Sequence, residues 1–254
     1  MRSLIAFMAL ISLFACTSST VLPDKALVEP VLVVRAIELE TTLNQRQGLP
    51  VPEHQNWFDV IEGHIPVIIT APHATRPLRN GHRRFSDGGG TAALAVTVAE
   101  LTGAYVIYTT YEGPSDPNYY DENAFKTQLQ QLITTVQPLY ILDIHGSHPY
   151  RSYDIDLGTM NGQSLLGHQN LLKRLIRQLE TEGISSFSYN RFAASRNETI
   201  TKFAVAHGIP AIQLEINSTY VTPAEGNVYA QRFSILSQAL ARFINSSVTT
   251  NRQP

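Results

Sequence analysis

Histidines and carboxylates gather where the apolar runs of this chain stop. Val67 to Ala71 (VIITA) runs into Pro72 and His73, while Leu139 to Ile144 (LYILDI) contains Asp143 and leads into His145-Gly146-Ser147-His148. A third run, Ala211 to Ile216 (AIQLEI), has Glu215 near its end. Each of these polar residues is of a type that ligates metal or moves protons. Residues two apart on a strand project to the same side, so Asp143 and His145 can share a site. Asp143 would serve there either as a ligand or as the carboxylate behind the histidine that fixes its tautomer. A further carboxylate, Asp87, lies in Arg83-Arg84-Phe85-Ser86-Asp87-Gly88-Gly89-Gly90-Thr91, just ahead of a helical stretch. Two histidines and one carboxylate, with one position left to water, make the usual ligand set of a catalytic zinc ion, and Asp87 is the carboxylate to place beside His73.

Other chemistries fit less well. The glycine run is neither a GxGxxG nor a Walker A loop, so it reads as a turn with Asp87 or Thr91 near the helix cap. The chain contains no G-x-S-x-G, and Gly146-Ser147 sits in the wrong context for a nucleophile elbow.

The elements that must position these residues alternate. After Val67–Ala71, a strand, apolar residues at 94, 95, 98 and 101 have helical spacing. Ala104 to Thr110 is strand-like, and Glu122 to Val136 repeats the helical spacing. Leu139–Ile144 is a buried strand and Asp154–Leu157 a short one. Leu165 to Glu182 reads as a basic-faced amphipathic helix stopped by Gly183. Glu198 to Ala206 reads as a helix behind an Asn197 cap, Ala211–Ile216 as a strand, and Pro223 to Ile244 as a long closing helix. Leu32 to Thr41 fits either a strand or a short helix. The alternation predicts an α/β fold with a mixed, mostly parallel sheet covered by helices on both faces. In such sheets ligands sit outside the carboxyl ends of the strands.

Composition bounds the function. With 254 residues and 43% of them hydrophobic, the chain can bury one large core. Nineteen Lys and Arg against 21 Asp and Glu leave a net charge of −2, which excludes a generally cationic nucleic-acid binder. The single cysteine excludes an intramolecular disulfide or a cysteine zinc cluster. It is Cys16, and it follows Arg2 and the apolar stretch Leu4 to Ala15, which has the length of a signal-peptide core rather than of a membrane span. Leu13-Phe14-Ala15-Cys16 resembles the lipobox of bacterial lipoproteins. That resemblance implies a signal peptide at 1–15, lipidation of Cys16, and a protein anchored to a membrane of the cell envelope, facing the periplasm or the exterior. Residues 16–25 then form a tether, 26–245 a single domain and 246–254 a C-terminal tail.

The motifs together resemble a known family. PHA after the first strand, Asp87-Gly88-Gly89 with Thr91 opening a helix, DIHG at 143–146, DIDLGT-x-x-G at 154–162 and QLEIN at 213–217 occur in the order seen in N-formylglutamate amidohydrolases, which are similar in fold to zinc carboxypeptidases and succinylglutamate desuccinylases. The resemblance implies a zinc-dependent hydrolase of amide bonds. It makes His73 and His145 zinc ligands and Glu215 the general base that takes a proton from the attacking water and returns it to the leaving amine. Carboxypeptidase-like chains carry HxxE at the first ligand, but Arg76 stands at that position here, so the carboxylate ligand moves to Asp87. Related enzymes also carry an Asn-Arg pair that grips a substrate carboxylate. Asn118 matches its first member, while Tyr119 replaces the Arg. Arg84, Arg151 and Arg196 are the cations near the proposed loops. Arg84 and Arg151 are assigned to the oxyanion, and Arg196 joins Asn118 in holding the substrate. Envelope peptides, peptidoglycan fragments and γ-glutamyl polymers are the expected substrates. The alternative is a lipid-anchored peptide- or glycan-binding module that kept the fold and lost activity.

Overall fold

The computed structural model of the protein describes residues 25–250. The signal peptide, Cys16 and nearly all of the tether lie outside the described residues.

Short apolar runs make the centre of the molecule. Strands β2 (Val67–Ala71), β5 (Tyr105–Thr109), β6 (Tyr140–Ser147) and β9 (Ala211–Asn217) pair in parallel in the order β5-β2-β6-β9. β1 (Phe58–Ile61) joins β5 antiparallel at one edge. At the other edge β7 (Ile155–Gly158) runs antiparallel to β9, and β8 (Phe187–Tyr189) runs parallel to β7. The sheet is therefore mixed and mostly parallel, as the alternation predicts. A separate hairpin, β3 (Leu78–Arg79) with β4 (His82–Arg83), turns at Asn80 and Gly81, both at positive φ.

The period of two along each strand divides the core between the two faces. Val67, Ile69, Leu142, Ile144, Ile212 and Leu214 face one layer, where Leu43, Leu94, Val98, Leu175, Phe233 and Leu240 cover them. These come from α1 (Pro30–Gln45), α2 (Gly89–Thr102), α4 (Gln169–Thr181) and α6 (Asn227–Thr250). Ile68, Ile107, Ile141 and Ala211 face the other layer, under Trp57, Phe125, Leu129, Ile200 and Ala204 from the 57–58 segment, α3 (Ala124–Val136) and α5 (Ile200–Ala206).

Several boundaries differ from those read in the sequence. Residues 30–45 form a full helix, with Pro30 in its first turn and Leu32, Ala36 and Leu43 on its buried side. α4 starts at Gln169 because Leu166 and Gly167 take positive φ after a 3-10 turn. Thr199, not Asn197, caps α5, its hydroxyl accepting from the Lys202 amide at 3.1 Å. α6 begins only after Gly226, at φ 130°, and it continues through most of the expected tail to Thr250. β6 runs on through His145 to Ser147 because β9 stays paired with it as far as Asn217.

The glycine run brings helices together rather than cradling an anion. A Cβ on Gly90 would lie 1.6 Å from the Val221 carbonyl oxygen, and one on Gly89 would lie 2.7 Å from that of Glu40. This close approach seals Glu40 on the inner stripe of α1, where it is 2% exposed and its Oε2 accepts from the Ala224 amide at 2.8 Å. Burial, with Glu225 nearby, pushes its carboxyl up to about 7 against the pull of the Ala224 hydrogen bond. The folded state thus favours the neutral acid. That contribution is complete below the ordinary pKa of 4.5 and is lost as pH rises towards 7. Glu40→Gln keeps a carbonyl oxygen for Ala224 and carries no charge. Urea denaturation of both proteins is expected to give similar stabilities at pH 4.5, with the variant gaining on the order of 2–3 kcal/mol over wild type by pH 8. A difference that does not change with pH would show that Glu40 ionises freely in the fold.

Candidate metal centre

β2, β6 and β9 point their carboxyl ends at one cavity. Pro72 ends β2 and turns His73 inward, where its ring is 1% exposed. His145 sits within β6, directly opposite Glu215 of β9 in the parallel register, and is also 1% exposed. Asp87 arrives from the loop before α2. Its amide donates to the His73 carbonyl oxygen at 2.7 Å, which ties the two segments together. A Cβ on Gly146 would stand 2.7 Å from the Asp87 carbonyl oxygen, so glycine at 146 is what lets the loop reach β6.

The three side chains converge. Asp87 Oδ2 lies 2.8 Å from His145 Nδ1 and 3.4 Å from His73 Nδ1, and one ligand atom of each residue falls within 4.8 Å of the others. His73 Nδ1 is buried and has no hydrogen-bond partner. Carboxylates stand behind the far nitrogens: His73 Nε2 is hydrogen-bonded to Asp116 Oδ1 at 2.7 Å, and His145 Nε2 lies 3.1 Å from Asp143 Oδ2 and 3.4 Å from Asn118 Nδ2. Asp143 Oδ1 in turn accepts from the Thr70 hydroxyl at 2.6 Å. Both histidines therefore have their Nε2 fixed from behind and their Nδ1 facing Asp87. This is the tautomer control that metal-ligating histidines receive, and the donor set of two imidazole nitrogens and one carboxylate fits zinc. Of the two candidate carboxylates, Asp87 stands at the ligand position and Asp143 behind His145.

Electrostatics follow from this crowding. Burial alone would raise Asp87, but His73, His145 and Arg84 overcome it and hold the carboxyl well below its usual range. His145 is held well above its usual value, Asp143 and Asp87 outweighing the cost of burial. Burial also works against Asp116, yet His73 and Arg79 keep it strongly acidic. Glu215 goes the other way. Desolvation pushes it up to about 7, with Asp87 and Asp143 adding to the rise and His145 and Arg84 opposing it. Its Oε1 accepts from Gln213 Nε2 at 3.0 Å, which aims the carboxylate.

The cavity holds about 510 Å³ and is lined by His73, His145, Glu215, Asn118 and Gln213, with Arg79, Arg84, Arg191 and Arg196 among the other walls. The structure thus brings together His73, Asp87, His145, Glu215, Arg84, Asn118 and Arg196. Arg84 donates to Asp87 Oδ1 at 3.0 Å, and Asn118 Oδ1 accepts from the Ile200 amide at 2.7 Å. Arg151 does not line the cavity; its guanidinium lies over the Phe192 ring at 5.3 Å. The expected oxyanion role for Arg151 is thereby displaced, because Phe192 stands on the cavity wall instead.

Two residues escaped the sequence reading. Asp116 is fully buried and accepts from Arg79 Nε at 2.8 Å and Nη2 at 2.5 Å. Arg79 also lies 4.4 Å from the Tyr119 ring. A cation from the β3–β4 hairpin, 40 residues earlier in the chain, thus stands beside Tyr119. The Asn-Gly turn at 80–81 was the available signal, since it marks a hairpin with Arg79 beside it.

No protein-family model and no curated protein matches the chain. Solved structures share its fold. N-formylglutamate amidohydrolase from Ralstonia eutropha JMP134 aligns with TM-score 0.54 and 14% identity, covering 76% of this chain and 98% of that one. A bacteriophage poly-gamma-glutamate hydrolase aligns with TM-score 0.51 and 18% identity, covering 76% and 89%. A metallo-carboxypeptidase from Pseudomonas aeruginosa, in complex with (2-guanidinoethylmercapto)succinic acid, aligns with TM-score 0.50 and 14% identity, covering 87% and 68%. The fold class expected from the motifs is therefore the one observed, that of the metallo-carboxypeptidase and N-formylglutamate amidohydrolase structures.

Zinc titration against a chelator of known affinity tests the centre. Asp116→Asn is expected to weaken zinc binding about 10- to 100-fold, as loss of a partner behind a ligand does. Arg196→Gln, remote from the ligands, is expected to leave it unchanged. Equal affinity in wild type and Asp116→Asn would remove His73 from the ligand set.

Proposed function

We propose that this protein is a zinc-dependent hydrolase that cleaves an amide bond in a carboxylate-bearing, peptide-like or γ-glutamyl substrate, held at the bacterial cell envelope by a lipid on Cys16. The observation that carries the hydrolase reading is the convergence of His73, Asp87 and His145 beside Glu215 in one arginine-walled cavity. The fold likeness to amidohydrolase and carboxypeptidase structures supports it. The lipobox-like Cys16 supports the location.

His73, Asp87 and His145 would hold the zinc ion, which would supply Lewis acidity towards a water and a carbonyl oxygen. The chain's own groups do the rest. Glu215, half-buried and lifted to about 7, has a proton affinity suited to both halves of the reaction near neutral pH. It takes a proton as the water oxygen bonds to the amide carbon. It then gives that proton to the nitrogen as the carbon–nitrogen bond breaks, leaving a carboxylate and an amine. Gln213 keeps the Glu215 carboxylate aimed during both transfers. Arg84 stays on Asp87 and steadies that ligand. Arg191 and Arg196 stand exposed on the wall without a carboxylate partner among the described residues, so they are the cations left to receive substrate carboxylates.

Hydrolysis of γ-glutamyl and N-acyl-glutamyl amides by the full chain provides the test. Glu215→Gln is expected to lower kcat by about 10² to 10⁴ while zinc content is unchanged. Chelation is expected to abolish activity and added zinc to restore it. Activity in Glu215→Gln within tenfold of wild type would overturn the assignment. Tight binding of these compounds without turnover would favour the binding-module reading.

A further inference from the structure

The end of the molecule opposite the cavity carries a different chemistry. β6 begins at Tyr140, whose hydroxyl lies 2.6 Å from Ser247 Oγ on the last turns of α6. The first residues of α4 gather at the same end, where His168, Gln169, Asn170 and Arg174 share a depression with Leu139, Tyr140 and Ser247. From Tyr140 to His145 the strand rises about 17 Å, so this end and the metal centre lie at opposite edges of the sheet.

α4 turns Leu175 and Leu179 into the core and places Lys173, Arg174 and Arg177 towards its outer side. Lys25 lies close by, in a second depression with Gln178 and Arg242, and its carbonyl oxygen accepts from Arg242 Nη2 at 3.3 Å. None of Lys25, Lys173, Arg174 and Arg177 has a carboxylate partner among the described residues. The acid within α4 is Glu180, and Glu182, just past the helix, is taken by Arg242 at 2.8 Å. Three cations thus stand on the outer side of α4, with the exposed Glu180 one turn beyond Arg177, and Lys25 adds a fourth beside Gln178, in a chain whose net charge is −2. Lys25 is also where the described chain begins, and eight residues separate it from Cys16. That is an extended reach of about 30 Å.

We infer that this face, Lys25 with Lys173, Arg174 and Arg177 of α4, rests on an anionic lipid surface and holds the catalytic cavity away from the membrane. The inference rests on the envelope location but not on the hydrolase reading. An acyl chain on Cys16 keeps the domain within reach of the bilayer without setting its orientation. Cations beside the point of attachment set it, because anionic head groups attract them strongly only within about a Debye length of 8–10 Å. The cavity then opens towards larger substrates in the surrounding space.

Two measurements test this. In the first, a fluorophore is placed through Gln169→Cys on α4, or through Phe85→Cys at the opposite end, in acylated protein on vesicles containing nitroxide-labelled lipid. With phosphatidylglycerol in the vesicles, position 169 is expected to be quenched several-fold more than position 85. The difference is expected to vanish in pure phosphatidylcholine, in high salt, and in the triple variant Lys173→Gln, Arg174→Gln, Arg177→Gln. Equal quenching at both positions, or quenching insensitive to lipid charge, would overturn the inference. The second measurement uses the unacylated Cys16→Ser chain without residues 1–15, which separates the face from both the lipid and the apolar leader. Its partition onto phosphatidylglycerol vesicles is expected to fall about fivefold per cation removed, about a hundredfold for the triple variant. Unchanged partition would overturn the inference, as would binding of soluble poly-glutamate by this face with no preference for anionic vesicles.

Discussion

A single carboxylate oxygen organises this molecule. Asp87 Oδ2 faces the Nδ1 atoms of both His73 and His145, in a place almost closed to water. Ionised groups this deep are costly unless each is matched. Asp116 and Asp143 behind the histidines, Arg79 behind Asp116, Arg84 on the second oxygen of Asp87 and Thr70 beneath Asp143 form a set in which each charge has a partner. The arrangement explains local features that otherwise look unrelated. Gly146 is bare so that the Asp87 loop can touch β6, and Gly89 and Gly90 are bare so that α2 can start against α1 and the Val221 carbonyl.

The same crowding separates the carboxylates by role. Asp87, Asp116 and Glu215 all stand near histidine, yet the first two are driven acidic and the third is lifted. The difference lies in contact. Asp87 and Asp116 meet imidazole and guanidinium groups directly, whereas Glu215 meets the neutral amide of Gln213 and feels like charges nearby. A carboxyl with proton affinity near neutrality thus stands beside His73, Asp87 and His145, whose donor atoms could hold a metal ion.

The two edges of the sheet carry different side chains. The carboxyl edge carries His73, Asp87, His145, Glu215 and the arginines of the 190–197 loop. That loop is held from below by Asp156, which accepts from the Arg191 and Phe192 amides at 3.1 and 2.9 Å. The amino edge carries the beginning of the described chain and the unpaired cations of α4.

Much of this was legible before any coordinates. Apolar runs of four to six residues bounded by Pro and Gly fix β2, β6 and β9, and the helical spacing fixes α2 and α3, because burial of one face is a local property of sequence. His73, His145, Glu215 and Asp87 stood out because polar residues at the ends of such runs need a reason to be there. The edge strands β1 and β8 and the β3–β4 hairpin were not legible, since strands of two to four residues derive their pairing from neighbours rather than from their own pattern. The role of Asp116 was hidden for the same reason. Nothing in Asp116-Pro117-Asn118 indicates that its carboxylate meets a histidine 43 residues earlier and an arginine 37 residues earlier. The choice between Asp87 and Asp143, the removal of Arg151 to the far side of Phe192, and the arrival of Arg79 over Tyr119 were likewise decided by tertiary structure. Sequence carries the period and the chemical types of side chains. Which nitrogen faces which oxygen depends on loops brought together by the sheet, and that distance has no signature along the chain.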